Sequence, residues 1–139
     1  MSRILGLDHG SRRIGLAIGD TETGMAFARP ALRRRGDEAD LRTIADLAHD
    51  EGVERVVIGL PANMDGSEGP QAGLARRFGE RLGEIGLAVG YQDERLTSWQ
   101  AREVLQEAGR HPRRGTGEVD STAARILLQE YLDTTKESR

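Results

Sequence analysis

The order in which apolar strands and amphipathic helices follow one another is what most constrains the fold of this chain. Residues 3–8 (RILGLD), 14–19 (IGLAIG) and 25–32 predict three strands joined by tight turns, which is typical of an antiparallel meander. Apolar stretches at 54–59 and 87–92 predict two further strands, each preceded by a predicted helix. This order predicts an α/β fold with a mixed five-stranded sheet, a three-strand antiparallel meander plus parallel strands, flanked by helices.

Helical periodicity predicts four helices, over residues 38–51, 70–85, 98–108 and 119–132. Asp37 is expected to cap the first of them, and the second is expected to bury Leu74, Phe78, Leu82 and Ile85. Helical crossovers make the strands that they join parallel. The first, fourth and fifth strands should therefore end at one edge of the sheet, where open α/β sheets build their sites.

Carboxylates fall at this predicted edge. Asp8 ends the first strand, and the adjacent Asp93 and Glu94 end the fifth. Asp120 lies in the first turn of the last predicted helix, in line with its apolar positions Ala123, Ala124, Leu127 and Tyr131. For each acid, a turn-forming or helix-terminal role is an alternative that the pattern alone leaves open. Gly10 and Gly15 are expected to let the chain turn sharply and approach a ligand.

A cation would relieve the repulsion between carboxylates that converge at one edge. Hard oxygen ligands suit Mg²⁺ or Mn²⁺. Two such ions, about 4 Å apart, can activate water and stabilise the leaving oxygen in phosphodiester cleavage. The chain has no cysteine, and its three histidines lack the spacing of zinc ligands. A divalent metal held by carboxylates is therefore the expected cofactor.

Composition predicts the cellular location of the protein better than its activity. The formal net charge of -3 does not by itself indicate a nucleic-acid partner, but arginines cluster at 12–13, 33–35, 76–77 and 113–114. Arginine suits phosphate contacts, although solvated surface remains the alternative, above all for the helical pair at 76–77. The length of 139 residues predicts one domain, over 1–139. The absence of cysteine predicts a cytoplasmic location, and the absence of a long apolar run predicts no membrane segment.

Four segments, in order, resemble one known family along almost the whole chain. They are ILGLDHGSRRIGLAIGD, VVIGLPANMDGSEG, YQDERLTSWQA and VDSTAARILLQEYL. Together they resemble the YqgF (RuvX) family of Holliday-junction-resolvase-like and pre-16S ribosomal RNA nucleases. The resemblance implies an RNase H-like fold and a metal-dependent endonuclease that acts on precursor 16S rRNA at its 5' end, on Holliday junctions, or on both.

The same resemblance implies a catalytic and metal-binding set of Asp8, Glu94 and Asp120. Glu94 is preferred to Asp93 by similarity to the related resolvases, and strand alternation agrees because only one of two adjacent side chains can face the site. The segments around these acids supply the expected nucleic-acid contacts: Gly10, Ser11, Arg12, Arg13, Arg95, Thr97, Ser98, Arg113 and Arg114.

Two other functions remain as alternatives. The first strand and turn also resemble the phosphate loop of the sugar kinase and actin ATPase superfamily, but those proteins bind ATP between two such domains. A non-catalytic nucleic-acid module of the same fold is the other alternative, although such a module has no need of mutually repelling carboxylates. The sequence leaves open whether RNA or a DNA junction is the substrate, and whether the protein is a monomer or a homodimer.

Overall fold

The computed structural model describes residues 2–61, 67–93 and 118–137 of the chain. Within these ranges the chain forms five strands and three helices. Their bounds are β1 Arg3–His9, β2 Arg13–Asp20, β3 Ala26–Arg33, α1 Asp37–Asp50, β4 Val53–Leu60, α2 Pro70–Glu84, β5 Ala88–Asp93 and α3 Glu118–Glu137. The helix predicted over 98–108 lies outside the described residues.

The five strands form one mixed sheet in the order β3-β2-β1-β4-β5. The pairs β1–β2 and β2–β3 are antiparallel, whereas β1–β4 and β4–β5 are parallel. The predicted meander and the shared direction of the first, fourth and fifth strands are both confirmed. As a result, β1, β4 and β5 end at one edge of the sheet, which we call the carboxyl edge.

The two faces of the sheet carry side chains of different size. On the face covered by α1 and α2, a core of large residues includes Leu5, Leu7, Ile58 and Phe78. The face covered by α3 is built from smaller residues, and the buried side chains packed together there are Ile4, Ala17, Ala26, Val57, Ala124, Leu127, Leu128 and Leu132. A Cβ built on Gly6 would lie only 2.9 Å from the Cβ of Leu128, so α3 approaches the sheet closely.

Several details differ from the sequence prediction. The predicted Asp37 cap is wrong: Gly36, at φ 119°, is the N-cap of α1, and no side chain caps the helix. Asp37 instead pairs with Arg34. Leu74 and Ile85 are exposed rather than buried, at 45% and 53%, because the buried stripe of α2 passes through Ala75, Phe78 and Leu82.

The last helix begins one residue earlier and continues five residues beyond the predicted 119–132. The other elements agree with their predicted bounds to within one residue. None of the helices in the described ranges combines the length and the apolar character that crossing a membrane requires.

Candidate active site at the carboxyl edge

Asp8 and Asp120 enter the carboxyl edge from two different elements. Asp8 is the penultimate residue of β1, and Asp120 lies in the first turn of α3. Both are half-buried, at the border between the α3 face of the sheet and solvent. Glu94, Arg95, Thr97, Ser98, Arg113 and Arg114, which complete the predicted site, lie outside the described residues.

Gly15 is the point at which these two segments meet. It pairs directly with Asp8 across the β1–β2 ladder. A Cβ built on Gly15 would lie 2.0 Å from the carbonyl oxygen of Asp120 and 2.9 Å from the amide nitrogen of Ser121. Directly opposed residues of an antiparallel pair point to the same face. Asp8 therefore lies on the α3 face, beside the backbone of Asp120.

This contact corrects the expected role of Gly15. We expected this glycine to admit a ligand, whereas it admits the backbone of α3. Gly10 does fulfil the expected turn: its amide donates to the Arg13 carbonyl at 3.0 Å, and a Cβ there would lie 2.6 Å from that oxygen. Because neither glycine has a side chain, the β1–β2 turn can close at Gly10, and α3, which carries Asp120, can approach Gly15.

The electrostatics of Asp120 reflect this half-buried position. Burial raises the pKa of the Asp120 carboxyl, and the positive charge of Arg13 acts in the opposite direction with the smaller effect. The ionised carboxylate is thus less favourable here than in water, a condition that a nearby cation relieves. Arg13 lies at the start of β2, in the turn segment that follows Asp8.

Sheet register separates the two faces at the end of β5. Gly6, Val57 and Gly90 are paired across β1, β4 and β5, so they share one face with Asp8. Gln92 follows Gly90 on that face. Asp93 pairs with Leu60 and belongs to the opposite, α1–α2 face.

His9 also belongs to the α1–α2 face. It is 5% exposed, and its ring packs against Phe78 with the ring centroids 4.8 Å apart. Its Nε2 lies 3.1 Å from Nη1 of Arg34, which can only donate, so His9 accepts and is neutral. Burial lowers the pKa of His9, and the positive charge of Arg34 lowers it further. His9 is therefore a packed side chain on the face opposite Asp8.

Sequence reasoning missed the group of charges around Arg34. Nε of Arg34 donates to Oδ2 of Asp40 at 2.7 Å, and Nη1 donates to the Gly10 carbonyl at 2.9 Å. Asp40 is fully buried. The signal in the sequence was an acid at a helical position whose neighbours Leu41 and Ile44 are core residues, but nothing there identified its partner.

Comparisons with known proteins identify the family of the chain. The chain matches the RuvX family, described as Holliday junction resolvase, over residues 2–134. A relative from Anaeromyxobacter dehalogenans (strain 2CP-C), named "Putative pre-16S rRNA nuclease", is 47% identical over 132 residues, covering 94% of this chain and 96% of its own. A relative of the same name from Moorella thermoacetica is 46% identical, with 94% of each chain covered.

Solved structures support the fold. Thermus thermophilus RuvC, in complex with a Holliday junction substrate, superposes with a TM-score of 0.63 at 16% identity, covering 99% of this chain and 98% of RuvC. The large terminase nuclease of the thermophilic phage G20c gives 0.56 at 14% identity, covering 90% of this chain and 81% of the nuclease. The predicted RNase H-like fold is confirmed. With the family matched over almost its entire length, the chain belongs to the RuvX family.

Proposed function

We propose that this protein is a divalent-metal-dependent nuclease whose catalytic carboxylates are Asp8, Glu94 and Asp120. The observation that carries the proposal is the contact at Gly15, which joins Asp8 of β1 to the first turn of α3 on one face of the sheet. Membership of the RuvX family agrees with nuclease activity. The two acids are distant in sequence, and this packing is what makes a shared site possible.

The donor set fits a hard divalent cation. Asp8 and Asp120 offer carboxylate oxygens, and burial disfavours the charged form of Asp120. The described residues alone contain no group of three potential ligands. We propose that Glu94 is the third, since Asp93 belongs to the opposite face and Gln92 to the face of Asp8. Bound Mg²⁺ or Mn²⁺ would supply activation of water and stabilisation of the charge that develops on phosphate.

The β1–β2 turn is suited to hold the nucleic acid beside these acids. Ser11 and Arg12 are exposed, and Arg13 is close enough to Asp120 to influence its pKa. We propose that Arg12, Arg13, Arg95, Arg113 and Arg114 bind the phosphate backbone. Ser11, Thr97 and Ser98 complete the same contact surface with hydroxyl donors to phosphate. We propose that Gly10, whose amide already donates to the Arg13 carbonyl, belongs to this surface as a point of close backbone approach.

The names of the relatives direct the choice of substrates. The curated relatives are named for pre-16S rRNA, and RuvC was solved with a Holliday junction. We propose structured nucleic acid as the substrate class, with the 5' end of precursor 16S rRNA and the Holliday junction as its two candidates. A cytoplasmic location fits either one. The junction has two-fold symmetry and calls for a homodimer, whereas RNA trimming can be done by a monomer.

A side-by-side cleavage assay tests this function. Precursor rRNA and a four-way junction are incubated with wild type in Mg²⁺, in Mn²⁺ and in excess chelator, with the oligomeric state measured under the same conditions. We expect cleavage that requires the cation. Asp8→Asn, Glu94→Gln and Asp120→Asn should each lower the cleavage rate by about 10²-fold or more. Each variant should still bind nucleic acid.

Asp93→Asn is the matched control, because it neutralises the neighbour of Glu94 on the opposite face of the sheet. This variant should cleave like wild type. Full activity in chelator would exclude a metal mechanism. Binding without cleavage by wild type would favour a non-catalytic nucleic-acid module instead.

A further inference from the structure

Arg34 differs from the arginines on either side of it. Arg33 and Arg35 are exposed, whereas the Arg34 side chain is only 15% exposed. Its guanidinium contacts four groups: the carboxylates of Asp37 and Asp40, Nε2 of His9, and the carbonyl of Gly10. A side chain with this many partners is held in one conformation.

Asp40 holds the guanidinium of Arg34 from the buried side. Its side chain is 1% exposed, one carboxylate oxygen accepts from Nε of Arg34 at 2.7 Å, and the other accepts from the Arg35 amide at 3.1 Å. Burying such a pair costs desolvation, so a buried ion pair is a poor source of stability compared with apolar residues of the same volume. Its presence therefore calls for a reason other than stability.

The partners of Arg34 indicate that reason. Nη1 donates to the Gly10 carbonyl at 2.9 Å, and the backbone amide of Arg34 donates to the Arg12 carbonyl at 2.8 Å. Both acceptors belong to the turn that directly follows Asp8 and His9. Arg34, which lies over the Phe78 ring and pairs with Asp40 of α1, thus contacts this turn from the α1–α2 face, while Asp8 lies on the α3 face.

We propose that Arg34, anchored by Asp40, is a positioning residue for the nuclease site. It fixes the backbone at His9 and Gly10, and thereby the orientation of Asp8 and of the β1–β2 turn, without touching the substrate. The proposal rests on the nuclease function proposed above. Misplacement of a reacting group by about 1 Å can cost about 10²-fold in rate, so a rigid turn has a direct catalytic value.

Arg34→Lys is the first test, because lysine keeps the charge but lacks the planar fork that reaches several acceptors at once. At saturating substrate and cation we expect kcat to fall by about tenfold or more, with KM changed by less than about threefold. A residue with a purely structural role would lower the melting temperature and leave the kcat of the folded enzyme unchanged. Asp40→Asn, which removes the anchoring charge, should show the same split between kcat and KM.

Amide hydrogen exchange gives a second readout that does not depend on cleavage. In both variants the Gly10 amide, which donates to the Arg13 carbonyl, should exchange about tenfold faster or more. Val57, in strand β4 between β1 and β5, should keep its protection. The Arg29–Glu51 pair, with a similar distance of 2.7 Å but a more exposed arginine, provides the matched control. Arg29→Lys and Glu51→Gln should change neither kcat nor Gly10 exchange.

The outcomes separate this proposal from the proposed function. Wild-type kcat in Arg34→Lys, or unchanged exchange at Gly10, overturns the positioning role. Equal acceleration at Gly10 and Val57 also overturns it, since that result shows a general loss of stability. If Arg34→Lys does not fold, the same measurements on Asp40→Asn decide. If wild type cleaves neither substrate, the nuclease function is wrong, and exchange at Gly10 alone decides whether Arg34 fixes the turn.

Discussion

Replacing Gly15 with alanine is the sharpest test of how the site is assembled. The new methyl group would lie 2.0 Å from the Asp120 carbonyl oxygen, whereas carbon–oxygen contacts in proteins are about 3.3–3.6 Å. The start of α3 must therefore withdraw from β2 by about 1.3 Å. No flexible side chain can move aside to relieve this contact, because the atoms nearest the new methyl group are backbone atoms of Asp120 and Ser121.

The displacement has a cost in stability and a larger one in activity. Overpacking of this kind typically costs about 1–3 kcal/mol. A loss near 2 kcal/mol lowers the melting temperature by roughly 5–10 °C in a protein of this size. Because Asp120 moves with the backbone and Asp8 does not, we expect cleavage by the folded variant to fall by about 10²-fold. Thermal unfolding and single-turnover cleavage below the transition measure the two effects separately.

Two other glycines provide the controls. Gly73 in α2 has nothing within 4 Å of its Cβ position, so Gly73→Ala should stabilise the protein by about 0.5–1 kcal/mol and leave cleavage unchanged. A Cβ on Gly6 would meet the Leu128 side chain at 2.9 Å, farther along α3 from Asp120. Gly6→Ala should therefore lower stability with a smaller loss of cleavage. Wild-type stability and cleavage in Gly15→Ala would refute the close contact between Gly15 and Asp120. Equal losses of cleavage in Gly6→Ala and Gly15→Ala would show that the loss does not depend on the position of Asp120.

Three further predictions concern pH, packing and phosphate contacts. Burial raises the pKa of Asp120 above its ordinary 3.8, so the contribution of this carboxyl to stability is complete below pH 3.8 and is lost as the pH rises through the folded-state pKa. Across this pH range Asp120→Asn should gain stability relative to wild type. Equal urea midpoints for the two proteins at every pH would contradict this prediction. Leu128→Ala, at a fully buried position on the α3 face, should lose about 2–5 kcal/mol in chemical denaturation, and a loss below about 1 kcal/mol would contradict the packing of α3. Arg113→Ala with Arg114→Ala should weaken binding similarly across sequences and reduce the slope of log affinity against log salt by about one per lost phosphate contact; an unchanged slope would show that these arginines are solvated surface.

The sequence was sufficient for the sheet and for the edge at which β1, β4 and β5 end, where we propose the site. Alternating apolar strands and helical crossovers determine which strands are parallel, so the position of Asp8 at the carboxyl edge followed from topology. The apolar stripe of α3 likewise predicted which face of that helix packs on the sheet, and Ala123, Ala124 and Leu127 are buried as expected. These features depend on local periodicity, which a single sequence contains.

Features that depend on a distant partner were not predictable in this way. A glycine in a strand has the same signature whether it admits a ligand or a helix, so the contact between Gly15 and Asp120 required the structure. Three consecutive arginines look alike, and only the fold brings Arg34 to Asp40. Asp37 has the signature of an N-cap, but a neighbouring guanidinium engages its carboxylate instead.

The division of the sheet into two unequal faces explains which acids the fold can bring to the proposed site. Large apolar residues on the α1–α2 face fix the register of β1 against β2 and β4, because a shift by one residue would move them all into the other face. With that register fixed, alternation assigns His9 and Asp93 to the α1–α2 face and Asp8 to the face of α3. Small residues on the α3 face then allow the helix backbone to reach Gly15 and bring Asp120 beside Asp8. The packing of one face thus determines which carboxylates are presented on the other.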